Sequence, residues 1–318
     1  MWPNLENLLT DEQLNALDQN FSIDLKKFIE NENIDGEFQL SIKALYLPLA
    51  KWIESQCLSN KQNVPVIFGI NGAQGSGKST LCRLLVLMLE TLFNKRVLHL
   101  SIDDLYLSKN QRQLMANTIH PLFKVRGVPG THDVPLGIDI LNRVKHAKNS
   151  TITLPVFDKS IDDLIPEDKW PTLKNNFDIV LFEGWCVGAK PQLKEVLNKP
   201  VNELEINDDA QCIWRRYVNQ QLAQEYAELF SCLDFLIMME VPGMESIYEW
   251  RKLQEDKLRS AKKFKDKDKN QIMSDAELTR FMMHFERTTR ACLQEMPQRA
   301  DVLLTLNKAH QVEHVRLR

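Results

Sequence analysis

The sequence predicts an α/β fold with a mostly parallel sheet that helices cover on both faces. Short apolar runs alternate along the chain with longer segments in which apolar residues recur at helical spacing. This alternation is typical of parallel strands joined by crossover helices. The predicted strands cover residues 66–70, 96–101, 177–182, 233–241 and 301–306, and the predicted helices cover residues 79–93, 136–147, 208–230, 243–260 and 274–295.

The length of 318 residues suits one large α/β domain with an extension. Apolar positions such as Leu40, Ile42 and Leu45 recur among polar residues before the first strand, which favours amphipathic helices there. We therefore predict an N-terminal helical extension over residues 1–60 and a single domain over residues 61–318.

Composition excludes several classes of protein. The formal net charge of −3 gives no global electrostatic reason to expect nucleic-acid binding. The first residues lack the basic segment and apolar run of a secretion signal, and the apolar stretches are too short to span a bilayer. We predict a soluble cytoplasmic protein with neither a nucleic-acid nor a membrane partner.

Residues 72–79 match the phosphate-loop pattern GxxxxGK[ST] completely. Glycines let this loop bring backbone N–H groups against phosphate oxygens, and the following helix adds the positive end of its dipole. Lys78 would reach the β- and γ-phosphates of ATP, and the Ser79 hydroxyl would bind Mg²⁺. The alternative is a chance glycine turn between a strand and a helix. The residues predicted to bind the nucleotide are Gly72, Ala73, Gln74, Gly75, Ser76, Gly77, Lys78, Ser79 and Thr80.

Acidic residues follow two of the predicted strands. Asp103 and Asp104 come after residues 96–101, and Glu183 ends the run at residues 177–182. The carboxyl ends of parallel strands are where ligands bind in open α/β folds. A carboxylate there can accept a proton from an attacking alcohol or hold Mg²⁺ directly or through water. The alternatives are a helix cap for Asp103 or Asp104 and an exposed strand end for Glu183.

Five further segments occur together and in a fixed order: SIDDLYL at 101–107, RGVPGTHD at 126–133, LPVFDKS at 154–160, FEGW at 182–185 and YEWR at 248–251. From about residue 64 onwards, this set resembles the plant-type D-glycerate 3-kinase family and its bacterial and fungal relatives. More distantly, the chain is similar to uridine kinase, phosphoribulokinase and bacterial pantothenate kinase. The resemblance implies a P-loop kinase over residues 61–318 that uses ATP and Mg²⁺.

The resemblance also implies roles for the acidic residues. The wider superfamily places its catalytic aspartate in a strand-end S-x-D, which makes Asp103 the base and Asp104 the supporting acid. Together with the positions of these residues in the loop and at the strand ends, this gives Ser79, Asp104 and Glu183 as the predicted metal contacts and Lys78, Asp103, Asp104 and Glu183 as the predicted catalytic set. The family usually has phenylalanine after the acidic pair, where this chain has Leu105.

The segment at 126–133 is too rich in glycine and proline for a helix or a strand, so we predict a shaped loop. Arg126 can bind a small carboxylate through two parallel hydrogen bonds. The resemblance implies that this loop binds the acceptor. A histidine bonded to backbone is the alternative for His132, and a surface lysine is the alternative for Lys159. The predicted acceptor-binding residues are Asp103, Tyr106, Arg126, His132, Asp133 and Lys159.

A lid is predicted at about residues 243–272, where a basic helix precedes a lysine-rich tract. Kinases that act on small molecules exclude water and place extra positive charge on the transferred phosphoryl group. Arg251 and Arg259 are the candidates for contacting the phosphates. A solvated charged helix is the alternative.

The favoured function is transfer of the γ-phosphate of ATP to a hydroxyl of a small acid, with D-glycerate and its 3-hydroxyl preferred. The alternatives are a kinase for another small alcohol, such as pantothenate, a nucleoside or a sugar, and a nucleotide-dependent switch or assembly protein. The guanine-reading NKxD signature of GTPases is absent, since Asn307-Lys308-Ala309-His310 lacks its aspartate.

Overall fold

A six-stranded sheet is the centre of the computed structural model, which describes residues 21–32, 41–61, 64–261 and 273–318. Within these residues the strand order is β10-β9-β8-β1-β7-β2, and two small two-stranded sheets pair β3 with β6 and β4 with β5. The strands are β1 (Val66–Gly72), β2 (Val97–Ser101), β3 (Thr151–Thr153), β4 (Phe157–Asp158), β5 (Asp163–Leu164), β6 (Thr172–Lys174), β7 (Ile179–Gly184), β8 (Phe235–Glu240), β9 (Val302–Leu306) and β10 (Val312–Leu317).

Helices cover both faces of this sheet, as the sequence predicts. The α-helices are α1 (Ser22–Glu32), α2 (Leu47–Ser59), α3 (Lys78–Phe93), α4 (Lys109–Thr118), α5 (Val134–His146), α6 (Glu203–Asn207), α7 (Ile213–Ala223), α8 (Glu225–Ser231), α9 (Met244–Ala261) and α10 (Asp275–Glu295). A short π-helix, Ile42–Tyr46, leads into α2. None of the helices in the described ranges is long and apolar enough to cross a membrane.

Successive residues of β1 belong to different hydrophobic clusters, which shows how the sheet is buried. Phe68 packs in a cluster with residues of α2 and α3, whereas Ile67 packs in a second cluster with residues of α5, α7 and α8. Side chains alternate between the two faces of a strand. All seven residues of β1 are buried, as expected for a central strand of a doubly covered parallel sheet.

The described part of residues 1–60 is helical and contributes to the first of these clusters. Trp52 of α2 packs edge-on against Phe68 and Phe235, with ring centroids 5.8 and 5.5 Å away. Glu32 at the end of α1 accepts hydrogen bonds from Thr80 and Arg83 of α3. The boundary between an extension and a kinase domain near residue 60 stays a prediction.

Helices α4 and α6 and the short strands β3 to β6 were not predicted, and two further departures have a clear physical reason. The predicted helix at 208–230 is two helices, because the backbone of Gln224 leaves the helical region (φ −114°, ψ −102°). The edge strand β10 pairs antiparallel with β9 and was not predicted. Its residues are exposed or half-buried, so they lack the apolar run by which the buried strands were recognised.

Candidate active site

The phosphate loop joins β1 to α3 in the conformation that its glycines allow. Gly75 and Gly77 have φ of 79° and 87°, in the left-handed region that side chains disfavour. A Cβ on Gly72 would lie 2.6 Å from the Ser76 hydroxyl, so a side chain there would force the Ser76 side chain to move. Helix α3 begins directly at Lys78, which places its N-terminus at the loop.

Glu183 lies beside this helix terminus, because β7 is the neighbour of β1 in the sheet. The Ser79 hydroxyl donates a hydrogen bond of 2.8 Å to its Oε1, and the Lys78 ammonium lies 3.9 Å from its Oε2. Glu183 is buried, and Oε2 accepts no hydrogen bond from any residue that the structure describes. A carboxylate oxygen left open beside a serine hydroxyl suits Mg²⁺, which binds one or two protein oxygens together with substrate phosphates.

Asp103 and Asp104 lie in a single 3-10 turn after β2, and the Ser101 hydroxyl caps that turn by accepting from the Asp103 N–H. The ammonium of Lys159 donates to Asp103 Oδ2 at 2.6 Å, and the hydroxyl of Tyr106 donates to Oδ1 at 2.5 Å. Both oxygens of the predicted base are therefore engaged by other residues of the predicted acceptor site.

The two neighbouring carboxyl groups differ in acidity. Burial by itself would raise the pKa of Asp103, but the positive charges of Lys159 and Lys78, together with the hydrogen bonds from Lys159 and Tyr106, outweigh it and lower the pKa to about 2. Burial and the negative charge of Asp103 raise the pKa of Asp104 to about 6. Lys78 of the phosphate loop is thus one of the charges that lower the pKa of Asp103.

Arg126 lies over the ring of Phe157, 5.5 Å from its centroid, and the same ring contacts Tyr106 edge-on at 5.0 Å. The guanidinium of Arg126 donates to the Asp162 carboxylate, and this carboxylate also pairs with the buried Arg112 at 3.1 Å. Two arginines share one carboxylate, so this cluster keeps a net positive charge. Such a patch beside Tyr106 suits a small anionic ligand.

His132 and Asp133 hold the loop at 126–133 in place. The buried His132 ring has its Nδ1 2.5 Å from the hydroxyl of Tyr226. The Asp133 carboxylate caps α5 by accepting from the Leu136 N–H at 3.0 Å. In the structure Asp133 therefore serves as the N-cap of α5. A role in acceptor binding for these two residues stays a prediction.

The buried histidines make stability depend on pH. Burial lowers the pKa of both His132 and His284 to about 4. An unfolded chain binds protons at these positions from about pH 6.5 downwards, whereas the folded protein does not until about pH 4. Stability should therefore be lost as the pH falls through this window, by about 2 kcal/mol per histidine at pH 5. We expect the His284→Asn variant to lose less stability than wild type between pH 7 and pH 5, as measured by urea unfolding. The asparagine carboxamide can still donate to the Arg280 carbonyl. The exposed His314→Asn is the control, and an equal pH response of all three proteins would contradict the prediction.

Helix α9, part of the predicted lid region, packs against the phosphate loop. A Cβ on Gly75 would lie 3.1 Å from Trp250 Cβ and 3.5 Å from the Arg251 backbone nitrogen. The Arg251 guanidinium, however, bonds to Gln254 and Glu255 of its own helix. The side chain of Arg259 and the lysine-rich tract at 262–269 lie outside the described residues, so their predicted roles stay predictions.

Two residues at the phosphate loop were missed by the sequence reasoning. The His310 ring lies 3.8 Å from the Trp250 ring, and its Nε2 is 2.9 Å from the Gly75 carbonyl oxygen. Trp250 belongs to the YEWR segment and could have been singled out there. No signal in the sequence points to His310, because its position depends on the hairpin between β9 and β10.

Known proteins with a similar sequence include two kinases. No family model matches the chain. The chain is 32% identical over 283 residues to "Uncharacterized kinase mug58" of Schizosaccharomyces pombe, covering 86% of this chain and 94% of that protein. It is 26% identical over 263 residues to the chloroplastic D-glycerate 3-kinase of Arabidopsis thaliana, covering 78% of this chain and 54% of that protein.

A solved structure has the same fold. The D-glycerate 3-kinase of Cryptococcus neoformans var. grubii superposes with a TM-score of 0.71 at 21% identity and covers 86% of this chain and 99% of its own. The phosphate loop, the acidic strand ends and these relatives lead to one conclusion. The chain is a P-loop kinase and belongs to the family that includes the yeast kinase mug58 and plant-type D-glycerate 3-kinase.

Proposed function

We propose that this kinase transfers the γ-phosphate of ATP to a hydroxyl of a small hydroxy acid, and that D-glycerate is phosphorylated at its 3-hydroxyl. One observation carries the proposal: the phosphate loop follows β1 and the turn with Asp103 follows β2, at the same edge of the parallel sheet, and Lys159 bonds to Asp103 there. Asp103 bonds to Lys159 and Tyr106, and the positive charge of Lys78 in the phosphate loop contributes to its lowered pKa.

The chain's own residues supply most of the proposed chemistry. Lys78 would neutralise charge on the transferred phosphoryl group, and Asp103 would accept the proton of the attacking hydroxyl. Ser79, Asp104 and Glu183 would hold Mg²⁺ together with phosphate oxygens, directly or through water. The ion, when bound, offsets the negative charge of the β- and γ-phosphates. We also propose that α9 belongs to a lid over the loop, and the cytoplasmic location stays a prediction.

Acceptor recognition would rest on exchange of ion pairs. Arg126 pairs with Asp162, and Lys159 pairs with Asp103. The carboxylate of a hydroxy acid would bind Arg126 as a second anion beside Asp162. The hydroxyl of the same acceptor would donate a hydrogen bond to Asp103 in place of Lys159. A neutral nucleoside would offer Arg126 no such partner. This charge pattern supports a hydroxy acid over a nucleoside.

A coupled ADP-release screen tests the acceptor. Candidates are D-glycerate, L-glycerate, pantothenate, uridine and pentose phosphates, each at the same concentration with ATP and Mg²⁺. We expect D-glycerate to give the highest kcat/KM, with a 3-phosphate product identified by ³¹P NMR. A higher kcat/KM for pantothenate or uridine would replace the proposed acceptor while leaving the kinase assignment in place.

Arg126→Ala should raise the KM for the acceptor and leave the KM for ATP nearly unchanged. The loss of a charged hydrogen-bond pair costs about 2–3 kcal/mol, which corresponds to a rise of about thirty- to more than a hundredfold. The control is Arg280→Ala, which removes another arginine paired with a single aspartate, Asp208 at 2.9 Å. An acceptor KM equal to that of the control would show that Arg126 does not bind the acceptor carboxylate.

A further inference from the structure

The loop at 126–133 is held in place by side chains that come from other parts of the fold. The indole Nε1 of Trp185 donates a hydrogen bond of 2.9 Å to the Gly127 carbonyl. The hydroxyl of Tyr226 accepts one of 2.9 Å from the Gly130 N–H. Phe285 fills the space beside Gly127, where a Cβ would lie 2.6 Å from its ring, and Gly127 has a φ of 120°. These contacts fix the backbone that carries Arg126.

Trp185 differs from the other two anchors because it is also tied to the phosphate side of the site. It follows Glu183 by two residues in the chain. The Asn71 carboxamide donates to the carbonyls of Trp185 and Val187, at 3.2 and 2.9 Å. Asn71 is buried and directly precedes Gly72, the first residue of the phosphate loop. A continuous buried path therefore runs from the phosphate loop through Trp185 to the Gly127 carbonyl.

We propose that Trp185 is a positioning residue that sets the loop carrying Arg126 at a defined distance from the phosphate loop. Its backbone is fixed by Asn71, and its indole N–H fixes the residue next to Arg126. The ring is buried and packs edge-on against Phe285 at 5.0 Å, which leaves the indole little freedom to turn. The effect on acceptor binding rests on the proposed function, whereas the effect on the loop itself does not.

Trp185→Phe removes the N–H donor and keeps an aromatic ring. Loss of one neutral hydrogen bond should raise the KM for the acceptor by about three- to tenfold. The KM for ATP and kcat at saturating acceptor should stay within about twofold of wild type. The variant leaves the phosphate loop intact, and the interaction it loses stabilises the bound acceptor equally in the ground state and in the transition state. A purely structural role would instead lower the melting temperature without separating the two KM values.

The chain offers a matched control in Trp214. It is as buried as Trp185, at 2% against 4% exposure, and its Nε1 has no hydrogen-bond partner among the described residues. Trp214→Phe removes the same volume from the core without removing a hydrogen bond. We expect its acceptor KM to equal that of wild type. An equal rise in acceptor KM for both variants would overturn the proposal.

Hydrogen exchange gives a readout that does not depend on the acceptor. Trp185→Phe should raise amide exchange at Gly127, Gly130 and Thr131 by about three- to tenfold relative to Trp214→Phe, without change at residues 72–80. Unchanged exchange would overturn the proposal whichever acceptor the screen identifies. Faster exchange with D-glycerate inactive would refute the proposed acceptor alone. If Trp185→Phe does not fold, benzothienylalanine at position 185, in which sulfur replaces the indole N–H, makes the same comparison.

Discussion

Lys78→Ala is expected to abolish measurable phosphoryl transfer while leaving the fold intact. Lys78 is the first residue of α3, and its ammonium lies 3.9 Å from Glu183 Oε2, beside the place where the phosphate oxygens would lie. Removing one preorganised charge of this kind costs about 10²–10³-fold in rate or more. ADP release should fall to the background level, and the thermal unfolding curve should resemble that of wild type.

Lys95 provides a control for this experiment. Its side chain is 19% exposed and lies 4.0 Å from Glu54, which closely matches the 16% exposure and 3.9 Å distance of Lys78. Lys95→Ala should therefore reproduce any general cost of removing a partly buried lysine while retaining activity. Near-normal turnover of Lys78→Ala would refute the assignment of residues 72–79 as the catalytic phosphate loop.

Asp103→Asn is expected to lower acceptor phosphorylation by about 10²–10⁴-fold, the range usual for a lost general base. The amide oxygen can still accept from Tyr106, so the local geometry should survive. The neutral amide cannot act as a base for the proton of the attacking acceptor hydroxyl, and Lys159 loses its partner of opposite charge. The KM for ATP should change little, because phosphate binding rests on the loop and Lys78.

Two comparisons make this result decisive. Asp104→Asn should lower turnover less and make it more dependent on the Mg²⁺ concentration. Asp178→Asn, which breaks the ion pair with Arg96 at the opposite end of β7, should leave activity unchanged. A nucleotide switch has no alcohol to deprotonate, so Asp103→Asn would leave its slow hydrolysis nearly intact. Wild-type transfer by Asp103→Asn would make Asp104 the candidate base.

Several parts of the fold that depend on local pattern were predictable. The phosphate loop is defined by eight consecutive residues, because its glycines and its lysine act within one turn between a strand and a helix. The buried parallel strands were recognisable since each must be apolar on both faces. Helix α10 begins one residue from its predicted start, where Ser274 and Glu277 form a capping box. The exposed strand β10 carries no comparable apolar run and was missed.

The partners of the site residues could not be predicted in the same way. The sequence by itself determined which residue types stand at the strand ends and in the loop at 126–133, and therefore the class of chemistry. The tertiary structure decided that Lys159 bonds to Asp103 across 56 positions and that Trp185 bonds to Gly127 across 58. It also decided that Asp103 and Asp104, adjacent in the chain, have pKa values shifted in opposite directions. The physical reason is that charge–charge interactions, hydrogen bonds and burial depend on distances through space, which arise only when the separate elements pack together.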